Sequence, residues 1–444
     1  MNTSSITLTC KVAFAMVLSA GLMLLALPPI GVAAAGFLIA VPLIRLPTAV
    51  SNVLLLAIGP LTGLLAAQVA SFPLLPTAND ATPGWTVLGL TAFGALIGLF
   101  SALARSTEGR QPLGIIGCLI LVEWATAAAL PMHLGLTQYR SGVMLLLASF
   151  GGIWLVSALV WWGNLALAQE VRRWPLWLGA APLLFLPPLP DSGSLPVAVL
   201  QTNSLDSTEL ASLHRKASAE SDLVVWPELS ATDWVAEDGR DVPRLLSVNL
   251  AAFVTTFPDQ AEPLPHNVAA FFSQGRELAH YEKRKPFAGE VNVHAAGNRV
   301  VVAPWRETQI GLNICFDSCY PWIMRDTARA GAAVIVLPSL DPITPNGWIA
   351  GIHEAYGRFR AAELGVSILR AEANHASSIV TRMGAVQAIA GAESPAVVRG
   401  RVATHPRFTV YKALGDWMLW LSVGVVLWSV FGNRLRPPIR VRHR

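Results

Sequence analysis

The stretch that decides the fold is IGLNICFDSCYPWIMRDTARAGAAVIVLPS, residues 310–339. Three patterns follow one another along it: an apolar strand pattern over 309–316, a helical pattern over 321–330 and a second apolar strand pattern over 332–339. A strand, a helix and another strand in this order predict a layered α/β unit whose sheet is covered on its faces. Cys315 lies where the first of these strands ends, so the fold-deciding stretch also carries a reactive side chain.

The same alternation extends over residues 191–414. Further helical patterns cover 207–220 and 348–365. Further strand-like runs cover 197–203, 222–228, 266–275, 277–283, 298–305, 366–374 and 375–382. These roughly 220 residues are enough for one sizeable core. We therefore predict a single α/β domain here.

Residues 1–190 have a different composition. The whole chain of 444 residues is 14% charged and has a mean hydropathy of +0.50, whereas an average soluble domain carries about 25% charged residues. Only eleven charged residues lie before position 191: Lys11, Arg45, Asp80, Arg105, Glu108, Arg110, Glu123, Arg140, Glu170, Arg172 and Arg173. This composition is typical of a membrane domain and excludes an ordinary soluble protein.

The charge-free stretches predict where the chain crosses the bilayer, since a spanning helix needs about 20 apolar residues. We place about seven transmembrane helices in residues 1–190 and one closing helix near 417–432. The predicted spans are 12–28, 30–44, 49–72, 84–104, 112–131, 143–166, 174–190 and 417–432. The span at 30–44 is short and flanked by prolines, so a re-entrant segment is the alternative there. The predicted divisions are 1–190, 191–414 and 415–444.

The positions of Lys and Arg in short loops predict the orientation, because such residues favour the cytoplasmic side. With the N-terminus inside, the loop at 105–110 and the pair Arg172-Arg173 are cytoplasmic, and the loop PTANDATP at 76–83 faces out. The closing helix then returns the chain, so the tail after residue 432, with five arginines, is cytoplasmic. A nucleic-acid arm is the alternative for this tail, but contact with anionic lipid fits better. We predict no nucleic-acid partner and an α/β domain on the extracytoplasmic side.

Three reactive side chains follow three predicted strands. Glu228 ends DLVVWPE, Lys283 ends ELAHYEK and Cys315 is the last residue but one of QIGLNICF. Taken singly, the two charged residues could form a strand-end salt bridge and the thiol could be a small core residue. If the strands belong to one sheet, the three groups converge at its edge and form a covalent catalyst.

Physical chemistry assigns a role to each of the three groups. A thiol needs a nearby base and a positive field before it becomes a good nucleophile. Glu228 would be that base, with a pKa raised by burial. Lys283, with the backbone N–H after Cys315, would stabilise the oxyanion of a tetrahedral intermediate.

Two other features carry open alternatives. Cys315 and Cys319 could form a disulfide, but four cysteines are too few for a disulfide framework. A zinc site is disfavoured, because no other Cys or His lies near this pair in the sequence. We predict no metal ion and no cofactor. Glu123 lies inside a predicted span, where an ionisable group is a functional candidate. A carboxyl group hydrogen-bonded to a neighbouring helix is the plainer interpretation.

The motifs WPE at 226–228, Y-x-K-R at 281–284 and ICFD at 314–317 resemble those of the nitrilase, or carbon–nitrogen hydrolase, superfamily. Seven spans, an external domain of this kind and one closing span are similar to the bacterial apolipoprotein N-acyltransferase family. The resemblance implies an αββα sandwich joined to a multi-pass α-helical membrane domain.

Residue by residue, the resemblance implies the site. Glu228 is the base, Lys283 the oxyanion partner and Cys315 the nucleophile. The supporting residues are Phe316, which supplies a backbone N–H, Asp317, which replaces the family's usual Glu, and Glu290, which corresponds to a second glutamate. The family's K-R-H-L-V-P-F-G-E reads KRKPFAGE over 283–290 here, without the His and one residue shorter.

The resemblance also implies partners and a location. The acyl donor would be a membrane phospholipid, the acceptor a lipoprotein or another amine, and the location the bacterial inner membrane. Two alternatives stay open at this stage. One is a membrane-tethered hydrolase of small amides or nitriles, and the other is a TraB-type conjugal transfer or envelope protein with a nitrilase-like domain.

Overall fold

The structure is a computed structural model. It describes residues 3–431 except 72–82, 108–110, 128, 171, 173, 192, 203, 205, 233–240, 344 and 392–394. The arginine-rich tail and nearly all of the loop at 76–83 lie outside the described residues.

The first part of the chain is helical because its apolar residues run without interruption over several turns. Its helices are α1 (Thr3–Ala26), α2 (Ala33–Gly36), α3 (Val41–Ile44), α4 (Asn52–Ala70), α5 (Pro83–Ser106), α6 (Pro112–Ala127), α7 (Gly142–Gln169) and α8 (Trp174–Ala180). The later helices are α9 (Ser207–Ser218), α10 (Asp241–Asn249), α11 (Pro321–Arg329), α12 (Trp348–Leu364), α13 (Val410–Leu414) and α14 (Trp417–Phe431).

Among the described residues, four helices are long and apolar enough to cross a membrane: Ser5–Ala26, Asn52–Ala70, Gly84–Ser106 and Gly142–Gln169. The other predicted spans contain shorter apolar helices of 10–17 residues, which are Ala33–Ile44, Pro112–Ala127, Trp174–Phe185 and Trp417–Phe431. The number of about seven crossings before residue 191 and the boundaries at 190 and 414 therefore stay predictions.

Helices α4 and α5 pack closely because small residues face each other. A Cβ atom at Gly59 would lie 2.5 Å from the carbonyl oxygen of Gly94, and one at Gly98 would lie 2.6 Å from that of Leu55. Small residues four apart let two apolar helices approach through their backbones. This contact fixes α5, whose first turn reaches the site described below.

Twelve strands form two six-stranded sheets. The strands are β1 (Leu195–Gln201), β2 (Leu223–Val225), β3 (Ala252–Pro258), β4 (Asn267–Ser273), β5 (Arg276–Glu282), β6 (Val302–Trp305), β7 (Thr308–Leu312), β8 (Val334–Leu340), β9 (Ser367–Ala373), β10 (Ser378–Val380), β11 (Val386–Ile389) and β12 (Ala396–Val402). The first sheet has the order β12-β1-β2-β3-β4-β5 and the second β11-β10-β9-β8-β7-β6. Each sheet has three adjacent parallel strands in its centre and antiparallel strands at its edges.

The two sheets pack face to face with helices outside, so the predicted αββα sandwich is confirmed. Apolar side chains of both sheets, such as Val199 and Val336, form the layer between them. Helix α9 covers the outer face of the first sheet, and α11 and α12 cover that of the second. Because both faces of the central strands are buried, these strands are mainly apolar, and the charged residues of β9, Arg370 and Glu372, are paired.

Three strands were not predicted, and several predicted strands were too long. The missed strands are β3, β11 and β12. The strand predicted over 309–316 ends at Leu312, and Cys315 begins a short 3₁₀ helix, Cys315–Cys319. The backbone leaves the sheet there because Cys315 has a φ of +45°, a conformation that cannot continue a strand.

Helix α12 lies between the second sheet and the helical part of the chain, against α7. Helix α7 is interrupted at Gly152, where φ is +68°. The buried Glu363 on α12 accepts a hydrogen bond of 2.7 Å from the Ile153 N–H just after that break. In the same region the Tyr356 hydroxyl donates to the Pro131 carbonyl at 2.8 Å. The α/β part is thus held to the helices by specific polar contacts.

Glu123 is fully buried in α6. Its Oε1 accepts hydrogen bonds from the indole of Trp161 on α7, at 2.7 Å, and from the Leu134 N–H, at 3.4 Å. These contacts link α6 to its neighbours, as the plainer interpretation of this residue predicts.

Candidate active site

Glu228, Lys283 and Cys315 lie together, but they do not come from one sheet as predicted. Glu228 follows β2 and Lys283 follows β5, both in the first sheet, whereas Cys315 follows β7 in the second. The two sheets meet where their parallel strands end. There the Glu228 N–H donates to the Ser339 carbonyl of β8 at 3.3 Å. The groups therefore converge across the sandwich rather than along one sheet edge.

A lysine cluster, which we define as Lys283, Glu228 and Glu290, lies beside the thiol. Lys283 Nζ lies 2.8 Å from Glu228 Oε1 and 2.7 Å from Glu290 Oε2. Lys283 and Glu228 are buried, while Glu290 is partly exposed. A buried ion pair is stable only when its remaining polar atoms are also hydrogen-bonded, and the surrounding groups meet that condition.

Those surrounding groups fix the Glu228 carboxylate in place. Asn267 Nδ2 donates to Oε1 at 2.7 Å, and the Leu340 N–H donates to Oε2 at 2.9 Å. The same carboxylate acts electrostatically on the Cys315 thiol. Glu290 is held by the Phe287 N–H, which donates to its Oε2 at 2.8 Å.

Burial sets the protonation states of the three groups. It raises the pKa of Glu228, which Lys283 opposes. Burial alone would lower the pKa of Lys283, but Glu228, the thiol and Glu290 raise it overall. Burial, with the nearby Glu228, raises the pKa of the Cys315 thiol well above its usual value, although Lys283 opposes this shift. Lys283 therefore stays cationic, and the thiol keeps its proton until a base accepts it.

The Cys315 backbone carbonyl is held by two further side chains. Its carbonyl oxygen lies 2.7 Å from Nε2 of His353, and the Ser318 hydroxyl donates to the same oxygen at 3.0 Å. These contacts stabilise the left-handed conformation at Cys315, which is costly for a residue other than glycine.

His353 belongs to a second buried group, the arginine cluster, which we define as Asp341, His353, Arg370 and Glu372. His353 Nδ1 lies 2.7 Å from Asp341 Oδ1. Arg370 forms ion pairs with Asp341 and, at 2.6 Å, with Glu372. Burial would raise the pKa of Asp341, but His353 and Arg370 lower it overall. Burial, together with the charge on Asp341, raises the pKa of Glu372 well above its usual value.

Sequence reasoning missed the arginine cluster and Asn267. Asp341 directly follows β8, so the strand-end pattern that identified Glu228 would also have identified this residue. His353 is on α12, and Asn267 begins β4. Neither carries a local signal, because each reaches the site through tertiary structure.

The predicted supporting residues Phe316 and Asp317 lie in the same 3₁₀ turn. Asp317 is buried and accepts hydrogen bonds from the Tyr281 hydroxyl at 2.7 Å, the Lys285 N–H at 2.9 Å and the Ile314 N–H at 3.0 Å. It thus ties the nucleophile turn to β5 and the segment after it. Burial raises the pKa of Asp317 to about 6, although these hydrogen bonds lower it.

Cys319 is not bonded to Cys315, and both thiols are free. The two residues line the same cavity of about 290 Å³. The cavity runs from Cys315 to the first turn of α5 and is lined mainly by apolar side chains. Among them are Trp85, Leu90, Met132, Phe287, Trp348 and Ile352. A nucleophile at the end of such a cavity can react with a carbonyl group that carries a long apolar chain.

The chain is similar to known proteins in this region and beyond it. The family model for carbon–nitrogen hydrolases matches residues 196–403. The apolipoprotein N-acyltransferase of Geobacter metallireducens is 24% identical over 354 residues, which cover 65% of this chain and 67% of that protein. That of Gloeobacter violaceus is 30% identical over 159 residues, 34% of this chain and 28% of that protein.

A third relative of the same name, from Thermotoga maritima, is 23% identical over 295 residues, 57% of this chain and 54% of that protein. The matches thus span between 28% and 67% of the length of these relatives. Among solved structures, an amidase from Nesterenkonia sp. is 20% identical with a TM-score of 0.43, covering 49% of this chain and 93% of that one. Residues 196–403 thus match the carbon–nitrogen hydrolase family, and the chain as a whole, with four described helices long and apolar enough to cross a membrane, is similar to apolipoprotein N-acyltransferases.

Proposed function

We propose that this protein is an N-acyltransferase that uses Glu228, Lys283 and Cys315. It moves an acyl chain from a membrane phospholipid to Cys315 and then to the N-terminal amine of a lipoprotein. One observation carries the proposal: the thiol, next to a buried acid and a buried ammonium, lies at the end of an apolar cavity that reaches α5.

The first step forms a thioester. As Sγ of Cys315 attacks the ester carbonyl carbon of the phospholipid, Glu228 accepts the thiol proton. The carbonyl oxygen becomes an oxyanion, which Lys283 and the Phe316 N–H stabilise. The intermediate collapses by breaking the ester C–O bond, and Glu228 returns the proton to the departing lysophospholipid alkoxide.

The second step transfers the acyl group. The neutral α-amine of the acceptor attacks the thioester carbon while Glu228 accepts one of its protons. The C–S bond breaks, the proton returns to sulfur, and an amide remains on the acceptor. The raised pKa of Glu228 supports both steps, because a base and acid whose pKa is nearer the working pH exchanges protons more efficiently.

Lys283 serves as a fixed cation rather than as a base. Its two carboxylate partners hold the ammonium in place and raise its pKa overall. Glu290 supplies the second of those negative charges without touching the thiol. We assign Glu290 to positioning of Lys283, and Asp317 to positioning of the nucleophile turn.

The location follows from the same proposal. A phospholipid donor requires a membrane, and the distribution of Lys and Arg in short loops supports an extracytoplasmic position for the α/β part at the inner membrane. The cavity then opens towards the outer leaflet at the first turn of α5. The described residues Trp85 and Leu90 form that side of the cavity.

Complementation tests the function most simply. A strain depleted of its own apolipoprotein N-acyltransferase is supplied with this chain, and the N-terminal peptide of a lipoprotein is weighed by mass spectrometry. We expect the mass of one additional acyl chain with the wild type and with Cys319→Ala, and none with Cys315→Ala.

Two results would contradict the proposal. If the well-expressed wild type leaves the lipoprotein amine free, the chain is not an acyltransferase of lipoproteins, as a TraB-type function predicts. If phospholipid yields only free fatty acid and lysophospholipid, water is the acceptor and the chain is a hydrolase.

A further inference from the structure

A row of aromatic side chains leads from the membrane helix α5 past the mouth of the cavity. Successive ring centroids are 5.3 Å apart for Trp85 and Phe287, 5.2 Å for Phe287 and Phe316, and 5.3 Å for Phe316 and Tyr320. Trp322 continues the row at 6.4 Å from Tyr320 and is 43% exposed. Aromatic rings of this kind concentrate at the level of the lipid headgroups.

Two cations lie over the last two rings of this row. Arg284 is 4.9 Å from the centre of the Trp322 ring and is paired with Asp326 at 3.1 Å. Lys285 Nζ is 4.9 Å from the centre of the Tyr320 ring. No carboxylate among the described residues forms an ion pair with Lys285, so its charge is available to a ligand.

Lys285 is fixed and directed towards the cavity. Its N–H donates to Asp317 Oδ1 at 2.9 Å, which ties its backbone to the nucleophile turn. Its side chain lines the same cavity as Cys315. Glu290 and Asp341 also line the cavity, and each is paired with a cation or a histidine: Glu290 with Lys283, and Asp341 with Arg370 and His353. Lys285 is therefore the lysine of the cavity lining that no carboxylate of the described residues pairs with.

The geometry points to Lys285 as the binding residue for the phosphate group of the donor phospholipid. This inference rests on the proposed function and identifies the feature of the donor that is recognised. The acyl chain lies in the apolar cavity with its ester carbonyl at Cys315, and the phosphodiester lies at the mouth beside the Lys285 ammonium. A donor without a phosphate group, such as diacylglycerol, loses this contact.

The test compares two donors with the same acyl chains, phosphatidylglycerol and diacylglycerol, in dodecyl maltoside micelles. The initial rate of acyl adduct formation on Cys315 is measured with the full-length protein. We expect the wild type to react about fivefold faster with phosphatidylglycerol, the contribution of a single Lys near an anionic lipid headgroup. In Lys285→Glu and Lys285→Ala the ratio of the two rates should fall to about one, whereas Lys285→Arg should retain the wild-type ratio.

Lys216→Glu is the matched control, because Lys216 is an exposed lysine on α9, away from the cavity. It should behave as the wild type with both donors. Equal rates for the two donors in the wild type, or an equal loss with both donors in Lys285→Glu, would overturn the inference. Competition by millimolar glycerophosphate would also overturn it, since the site would then bind free phosphate esters rather than lipid.

A binding measurement separates this inference from the proposed function. Native mass spectrometry counts the phosphatidylglycerol retained by Cys315→Ala with and without Lys285→Glu. Loss of retained lipid on adding Lys285→Glu supports the phosphate site even if the wild type forms no adduct, in which case only the acyl transfer fails. Equal retention in both variants contradicts the phosphate site.

Discussion

The lysine cluster and the arginine cluster both lie close to Cys315, and each holds one buried cation between two acidic side chains. Lys283 is bound by Glu228 and Glu290, and Arg370 is bound by Asp341 and Glu372. They differ in what they touch. Glu228 and Lys283 of the lysine cluster act on the thiol of Cys315, whereas His353 of the arginine cluster contacts the backbone carbonyl of Cys315.

The difference corresponds to the chemistry of the two cations. An ammonium is a compact charge with three rotatable donors, and it can follow an oxyanion as it develops. A guanidinium has donors in a rigid fork and holds its partners in one geometry. The comparison indicates that buried charge is used here in two ways, once for the reaction and once to position the nucleophile.

The largest effect is expected from removing the thiol of Cys315, the residue that both clusters adjoin. Cys315→Ala should abolish acyl transfer, because it removes the thiol that Glu228 and Lys283 act on. Cys319→Ala should retain it, because Cys319 lines the cavity but has no contact with the lysine cluster among the described residues. Transfer of labelled acyl chain to an acceptor peptide checks both variants. Activity in Cys315→Ala, or its loss in well-folded Cys319→Ala, would contradict the assignment of the nucleophile.

Changes in the lysine cluster come next. Glu228→Gln keeps the shape of the side chain but removes the base, so the rate should fall by about 10²- to 10⁴-fold. The same change should lower the pH at which iodoacetamide alkylates Cys315, because the negative charge of Glu228 raises the pKa of the thiol. An unchanged alkylation profile would separate Glu228 from the thiol and contradict its role.

A matched change in the arginine cluster should have a smaller effect of a different kind. His353→Gln weakens one hydrogen bond to the Cys315 carbonyl, and the rate of acyl transfer should fall about tenfold. Because His353 contacts the carbonyl rather than the thiol, the pH midpoint of alkylation should stay at the wild-type value. A shift as large as that in Glu228→Gln would mean that the two clusters do not have separate roles.

The smallest expected effect concerns stability. The pKa of Asp317 is raised to about 6 from an ordinary value of 3.8, mainly by burial, so the folded chain binds this proton more tightly than the unfolded chain. Its contribution to stability is therefore complete below pH 3.8 and is lost as the pH rises through about 6. Relative to Asp317→Asn, the melting temperature of the wild type should fall between pH 4 and pH 7.

The variant Asp317→Asn serves as the reference for this prediction, because its amide does not titrate. Asp317→Asn also places an amide NH₂ opposite backbone donors, which costs about 1–3 kcal/mol at every pH. That cost does not depend on pH, so only the change in the difference between the two proteins reports the titration. A difference that is constant from pH 4 to pH 7 would contradict the raised pKa.

The sequence was enough to predict the sandwich and to name Glu228, Lys283, Glu290 and Cys315. Those residues follow apolar strands or belong to recognisable motifs, so their signals are local. It was not enough to predict that Glu228 and Cys315 come from different sheets, because strand pairing depends on tertiary contacts. The edge strand β12 was missed for a related reason: its alternating arginines are explained only by its antiparallel pairing with β1. His353 likewise reaches Cys315 only through the packing of α12.

The central claim is that Cys315 accepts an acyl chain from phospholipid, and the direct measurement is the mass of the Cys315 peptide. The purified full-length protein is incubated with phosphatidylglycerol of defined acyl chains and digested without an acceptor present. We expect the Cys315 peptide to carry the mass of one acyl chain, and we expect hydroxylamine to remove that chain. An unmodified Cys315 peptide, or an acyl chain on Cys319 instead, would contradict it.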